Sequence, residues 1–374
     1  MKFVLIPDSF KGTLSSAKIC ELMQKNIKKH FPESEIISIP VADGGEGSVD
    51  AFLTAMGGRK EFVSVKNPYF EDMDAYYGML ENGKVAVIEM AACAGLPLVE
   101  ERKNPSKTTT YGVGQMILDA AKKGAKKIIV GLGGSCTNDG GCGAAAAVGV
   151  KFLNEKKEAF VPVGGTLKEI RKIDMSGRNP LLAGVEIVTM CDIDNPMFGE
   201  FGAAHVFAPQ KGADAEMVNA LDEGVKHLSG QITQAIGADI SEIPGTGAAG
   251  AMGAGMIAFF DSRLRMGIET VLDTVGFEEK ISDADYILTG EGKMDSQSLR
   301  GKVISGIAKR AKKQNRKVLA IVGGVEDAEI QAAYEMGVSA VFSINRKPED
   351  FSVSRWKSEE NLEFTVDNIM RLLQ

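Results

Sequence analysis

Five short segments of this 374-residue chain carry an apolar run straight into small residues and carboxylates. They are VLIPDSFKG at 4–12, ADGGEGS at 42–48, IIVGLGGSCTNDGG at 128–141, IVTMCDIDNP at 187–196 and ILTGEGKMDSQS at 287–298. Glycine after a strand lets backbone approach a ligand closely, and a carboxylate held there can ligate a metal or take a proton. Five such strand ends suit a cleft for phosphate and metal.

Each segment carries specific candidates. After the first strand, Asp8 sits at a cleft edge and Lys11 can meet a phosphate or carboxylate, with Ser9 and Gly12 between and beyond them. A plain turn capped by Thr13 or Ser15 needs neither charge. In ADGGEGS, Asp43 and Glu46 with the amides of Gly44 and Gly45 open a helix and suit a phosphate with its metal. In the third segment Gly134, Ser135, Thr137, Asn138 and Asp139 offer amide, hydroxyl and carboxylate to phosphates or to an acceptor, although tight helix packing explains glycines equally well. The spacing is not that of a P-loop. Asp192 and Asp194 point to opposite sides of a continued strand, so Asp192 is the metal ligand or general base and Asp194 shapes the turn before Pro196. In the last segment Asp295 or Ser296 can cap a helix, whereas Glu291 and Lys293 in a Gly-flanked loop point to a site, with Gln297 and Arg300 nearby.

The elements that must position these groups alternate. Strand 2–7, helix 15–30, strand 35–41, helix 46–57 and strand 60–65 read as βαβαβ, a parallel sheet covered by helices. A polar stretch at 67–74 then leads into a hairpin, 74–80 and 84–90, turning at Glu81-Asn82-Gly83. From about 260 the alternation returns, with helix 267–275, strand 285–289, helix 297–313, strand 317–322, helix 327–335, strand 339–343 and helix 359–373. The expected fold is α/β: a doubly wound Rossmann-like domain built from both chain ends, 1–68 plus 262–374, with an inserted mixed α/β domain over 69–261. Ligands of such sheets sit beyond the carboxyl ends of the strands, so the active site is expected in the cleft between the two domains.

The rest of the composition narrows the class. A net charge of −7 without a basic stripe argues against nucleic acid. Met1 runs directly into the strand KFVLIP and no apolar stretch approaches bilayer length, so a soluble cytoplasmic protein is expected, with no membrane partner. Cys20, Cys93, Cys136, Cys142 and Cys191 are scattered and lack CxxC spacing, which fits reduced, buried thiols. GTGAAG at 245–250 matches GxGxxG but follows Ile243-Pro244 instead of a strand, so a dinucleotide site is disfavoured against a phosphate-binding helix start or close packing. His30, His205 and His227 read as surface or structural residues.

DSFKG, ADGGEG, GLGGSCTNDGG, CDIDNP and GEGKMDSQSLRGK, in this order over nearly the whole chain, resemble the bacterial glycerate kinase family of the glyoxylate and sugar-acid pathways, type I. The resemblance implies ATP-dependent phosphorylation of D-glycerate, commonly at the 2-hydroxyl, with magnesium. It implies a Rossmann-like domain with an inserted second domain and leaves a homo-oligomer open. Phosphoryl transfer asks a protein to align donor and acceptor, shield charge and orient or deprotonate the attacking hydroxyl. Chemistry and position then suggest roles. Asp192, or failing it Asp8, takes the glycerate proton, while Lys11 with Arg265 or Arg300 neutralises carboxylate and transferring phosphate. Asp43, Glu46, Glu291 and Asp295 are the magnesium candidates, and Lys293 joins the phosphate-binding set. Two rivals stand beside this reading. A haloacid-dehalogenase-like phosphatase would use Asp8 or Asp192 as nucleophile, but Phe10 and Pro196 break its motif; a non-catalytic nucleotide-sensing module would not need so many carboxylates.

Overall fold

A computed structural model describes residues 1–42, 44–295 and 302–374. In chain order its strands are β1 (Lys2–Leu5), β2 (Glu35–Ser38), β3 (Gly58–Lys66), β4 (Asp72–Leu80), β5 (Val85–Glu89), β6 (Lys127–Gly131), β7 (Lys151–Leu153), β8 (Ala159–Phe160), β9 (Lys172–Asp174), β10 (Glu186–Met190), β11 (Arg263–Arg265), β12 (Tyr286–Met294), β13 (Lys317–Val325) and β14 (Val338–Ser343). The chain forms two compact units, one from Met1–Ala42, Asp50–Met56 and Met266–Gln374, the other from Asp43–Val49 and Gly57–Arg265.

The first unit is a doubly wound α/β layer made by both chain ends. Its sheet runs β14-β13-β12-β1-β2, every neighbouring pair parallel. Strand order reverses between β1 and β12, the place where open sheets of this kind leave a crevice at their carboxyl edge. The ladder continues past β1, with the Ile6 amide donating to Leu288 O at 2.9 Å and that of Asp8 to Gly290 O at 2.8 Å. The helix Ser16–His30 starts at Ser15, whose hydroxyl accepts from the Lys18 amide. Its apolar face, Ile19, Leu22, Met23 and Ile27, packs with Phe3, Leu5, Leu288, Ile321 and the C-terminal helix residues Val366 and Met370 into one core.

The second unit holds a mixed sheet, β11-β10-β6-β5-β4-β3, parallel from β11 to β5 and antiparallel beyond. A small sheet β8-β7-β9 stands beside it. The strand expected at 60–65 is present as β3 but does not continue the N-terminal parallel sheet. It pairs antiparallel with β4 along its whole length, from Gly58 opposite Leu80 to Lys66 opposite Asp72. Its sequence GRKEFVSVK has the alternating exposure of an edge strand with one wet face, whereas the doubly buried β1 and β6 read as continuous apolar runs. The core of this unit gathers Tyr77, Ile88, Val130, Phe152, Leu228, Met252 and Phe259.

Candidate active site

In the second unit, parallel pairing brings four strand ends into one row. Glu89 of β5 lies opposite Gly131 of β6, Gly131 opposite Met190 of β10, and Met190 opposite Arg265 of β11. The chain leaving this edge forms a cavity of about 360 Å³, walled by Leu132–Ser135 after β6, Met190–Ile193 after β10, Gln210 and Lys211, and Ala248 and Ala249. Asp192 is half-buried on this wall, whereas Asp194 is exposed and off it. Arg265 closes the same edge, its carbonyl accepting from the Cys191 amide at 2.9 Å.

The glycines after β6 bring backbone against backbone. Gly133 donates its amide to Gly44 O at 3.1 Å, and a Cβ at Gly133 would lie 2.5 Å from Gly45 Cα. A Cβ at Gly131 would lie 2.3 Å from Gly44 O. Gly44 itself is left-handed, φ +83°, and packs on Met190. Glu89 fixes the helix that follows, one carboxylate oxygen accepting from the Val49 amide at 2.7 Å. Glu46 is exposed.

The third segment divides its labour. Gly133, Gly134 and Ser135 line the cavity, while Thr137, Asn138 and Asp139 are fully buried behind it. Asp139 accepts from the Thr110 amide and hydroxyl at 2.8 and 2.9 Å and from the Gly141 and Gly143 amides at 3.1 and 3.2 Å. Burial pushes its carboxyl upward in pKa against these four donors. Its oxygens are occupied in holding the helix start at Cys142 to the segment Thr109–Tyr111. The Thr137 hydroxyl and the Asn138 amide are buried without a hydrogen-bond partner among the described residues.

Lys211 lines the same cavity, and the sequence reading passed over it. Its side chain is buried, and Nζ donates to Ser135 Oγ at 2.9 Å and to Thr137 O at 2.7 Å. Burial brings its ammonium down to about 8. Glu89 was missed as well. Both had a signal: Glu89 ends the strand VAVIE as a carboxylate, though no glycine follows, and Lys211 is a lone cation in FAPQKG.

The GxGxxG glycines serve close packing. A Cβ on Gly247 would sit 2.1 Å from Pro196 O and one on Gly250 2.1 Å from Thr137 O. The helix Ala248–Phe260 opens in a left-handed turn, with φ of 54°, 66° and 65° at Ala249, Gly250 and Ala251. Two alanines held at positive φ are costly, and one of them, Ala249, lines the cavity. Cys191 also lines it, and burial lifts this thiol to about 11, which keeps it inert.

The first unit places its candidates around the strand-order reversal. Asp8 follows β1 and its Oδ1 accepts from the Ser9 amide at 2.6 Å; Lys11 is exposed. Gly292 of β12 lies against Phe10 and Lys11, since a Cβ there would contact both at 3.4 Å. Glu291 and Lys293 belong to β12 itself, which extends to Met294, and not to a loop. Glu291 is buried, whereas Lys293 is exposed and pairs with Glu326 at 2.5 Å. Asp295 follows directly. Asp43, Ser296, Gln297 and Arg300 lie outside the described residues.

Among the described residues no three His, Cys, Asp or Glu side chains gather into a metal-holding group. The histidines make structural contacts: His30 Nε2 meets Asp367 at 2.7 Å and His227 Nε2 meets Ile170 O at 2.7 Å. His30 is more covered than a surface residue at a helix end would be. No helix among the described residues is long and apolar enough to cross a membrane.

Comparison with known proteins identifies the family. The model of the glycerate kinase family matches residues 3–374. A glycerate kinase of Bacillus cereus is 46% identical over 99% of this chain and 97% of its own length. The glycerate 2-kinase of Escherichia coli K12 is 41% identical over 92% of this chain and 90% of its own. A crystal structure from Salmonella typhimurium LT2, assigned as a glycerate kinase 2, superposes with a TM-score of 0.88 at 36% identity, covering 100% of this chain and 98% of that one. A kinase matched over its whole length leaves no room for the phosphatase or the non-catalytic sensor, and the chain belongs to the glycerate kinase family.

Proposed function

We propose that this kinase transfers the γ-phosphoryl group of ATP to the 2-hydroxyl of D-glycerate, giving 2-phosphoglycerate and ADP. The observation that carries the reading is Asp192, among the described residues the one carboxylate on a cavity wall that also holds one buried cation. In this reading Asp192 accepts the hydroxyl proton as the oxygen attacks phosphorus. The glycines at 133 and 134 allow the acceptor to lie close to backbone, and Arg265, at the same sheet edge, offsets developing negative charge. The name of the Escherichia coli relative, glycerate 2-kinase, supports the 2-position.

In the first unit, Ser9, Lys11, Lys293 and Arg300 are proposed for the nucleotide phosphates, and Asp8 stands as the alternative proton acceptor. Magnesium travelling with those phosphates needs only one or two protein carboxylates, so a missing three-residue cluster does not bar it. Glu291 and Asp295, together with Asp43 and Glu46, are the candidates. The metal would supply charge shielding, and no step of the proton transfer depends on it.

The test is ADP release in a coupled assay with D-glycerate and ATP, followed by phosphorus NMR of the product. Asp192→Asn is expected to lower kcat by about 10²–10⁴ while melting at the wild-type temperature. A folded Asp192→Asn enzyme with full turnover removes the base assignment, and a 3-phosphoglycerate resonance removes the assigned position.

A further inference from the structure

Lys211 presents an electrostatic imbalance. A buried ammonium is normally met by a carboxylate, because an unpaired interior charge is costly. Lys211 Nζ has two hydrogen-bond acceptors, Ser135 Oγ and Thr137 O, and both are neutral. The nearest buried carboxylate, Asp139, has its oxygens engaged by Thr110, Gly141 and Gly143. No described acid stands within ion-pair distance of Lys211, whose third N–H has no partner among the described residues. Yet among the described residues Lys211 is the one cation lining the cavity, and Asp192 the one anion.

Ser135 reinforces the point. Because an ammonium can only donate, Ser135 Oγ accepts from it, and its own proton must turn elsewhere. Ser135 also lines the cavity. Two donors, one of them charged, are thus held by the fold with no carboxylate in ion-pair contact among the described residues. A single positive charge and a small cavity suit a monoanionic carboxylate better than a phosphate, which carries more charge and needs more donors.

We propose that Lys211, with the Ser135 hydroxyl, binds the carboxylate of the hydroxy-acid substrate, which supplies an anion in direct contact with the ammonium. This deepens the function proposed above and rests on it. The carboxylate is then fixed at Lys211 while the adjacent hydroxyl is presented to Asp192, so the two charged residues of the wall set which end of the acceptor reacts. Cys136 and Asp139 are the other titratable groups acting on Lys211, with Asp192 on the same cavity wall. Burial lifts Cys136 to about 12, so it does not titrate near neutrality.

The experiment compares wild type, Lys211→Gln and Lys211→Met with D-glycerate and with D-glyceramide, which keeps the hydroxyls and lacks the negative charge. Wild-type turnover of D-glycerate is scored first, because its absence overturns the kinase reading and this inference together. With turnover present, Lys211→Gln is expected to raise KM for D-glycerate about 100-fold, equivalent to losing one charged contact, with KM for ATP within about twofold. The wild-type preference for glycerate over glyceramide should collapse in the same variant. A folded Lys211→Gln or Lys211→Met enzyme that keeps both the glycerate KM and the preference assigns Lys211 to structure alone and overturns the inference, while the kinase reading stands. A rise in the ATP KM alone would place the nucleotide there and likewise overturn it. Should both variants fail to fold, wild-type KM for glycerate decides: it should rise about tenfold per unit of pH above the Lys211 pKa, and a flat profile to pH about 9.5 overturns the proposal.

Discussion

Gly133→Ala isolates what close backbone approach contributes to this site. The position is not left-handed, so alanine pays nothing for its own φ. Its Cβ, however, would lie 2.5 Å from Gly45 Cα and 2.9 Å from Gly45 N, against an ordinary contact of 3.4 Å or more. Both obstacles are backbone, so relief requires the Gly44–Gly45 turn to move by roughly 1 Å, a displacement of the kind that lowers turnover about 10²-fold when it disturbs an aligned site. The amide bond from Gly133 to Gly44 O is lost or stretched, and with overpacking the expected destabilisation is about 2–3 kcal/mol. The neighbouring Gly134→Ala is the control. Gly134 has φ +74° and its Cβ would meet only Ala91 at 3.4 Å, so it pays about 1–2 kcal/mol of left-handed strain without displacing the turn. Both variants are read by urea unfolding and by kcat/KM in the ADP-release assay. A somewhat larger loss of stability in Gly133→Ala, with a disproportionately larger loss of turnover, is expected. If Gly133→Ala unfolds at the wild-type midpoint and turns over normally, the argument from backbone proximity fails.

Two further outcomes concern the scaffold. Asp139→Ala leaves the Thr110 amide and hydroxyl and the Gly141 and Gly143 amides without their shared acceptor, which should cost about 4 kcal/mol in urea unfolding; a cost under about 1 kcal/mol would show that the clamp is dispensable. Asp367 is held below the usual carboxylate range by His30, Lys29 and Arg371. A depressed carboxylate gives stability above its unfolded pKa near 4 and loses it as pH falls toward the folded value, so wild type should lose stability through that window while Asp367→Asn shows a flatter acid limb. Identical acid limbs in thermal melts would count against this linkage.

How much was legible follows the range of the forces involved. Elements whose apolar pattern is read locally came through: β1, the helix Ser16–His30 and the order of strands and helices from β12 to the C-terminal helix match the sequence reading, although the helix expected from 297 is described only from Val303. Partner choice did not. β3 carries a strand pattern that fits either sheet, and only its pairing with β4 places it, a non-local choice that composition does not encode. The extension of β12 through Glu291 and Lys293 went unread because glycines at 290 and 292 look like loop residues. In the fold they let β12 sit against β13 and the Phe10–Lys11 turn, where a Cβ on Gly290 would meet Ile321 O at 2.0 Å.

The candidate site shows the same division at the level of single side chains. Carboxylates that follow an apolar run and precede glycine were visible, because strand, turn and charge occupy adjacent positions. Asp139 satisfied that pattern too, yet it is engaged by Thr110, which lies 29 residues earlier in the chain. A local motif therefore supplies a charge without saying whether it faces a ligand or, as here, three amides and a hydroxyl. Lys211 is the converse case. It lies far in sequence from Ser135 and Thr137, so no spacing rule joins them, and it is the burial of its ammonium, a property of the folded state alone, that separates it from the solvent-facing lysines. At strand ends, then, the sequence shows where carboxylates stand, whereas a buried cation on the cavity wall is found only where the fold withdraws water from it.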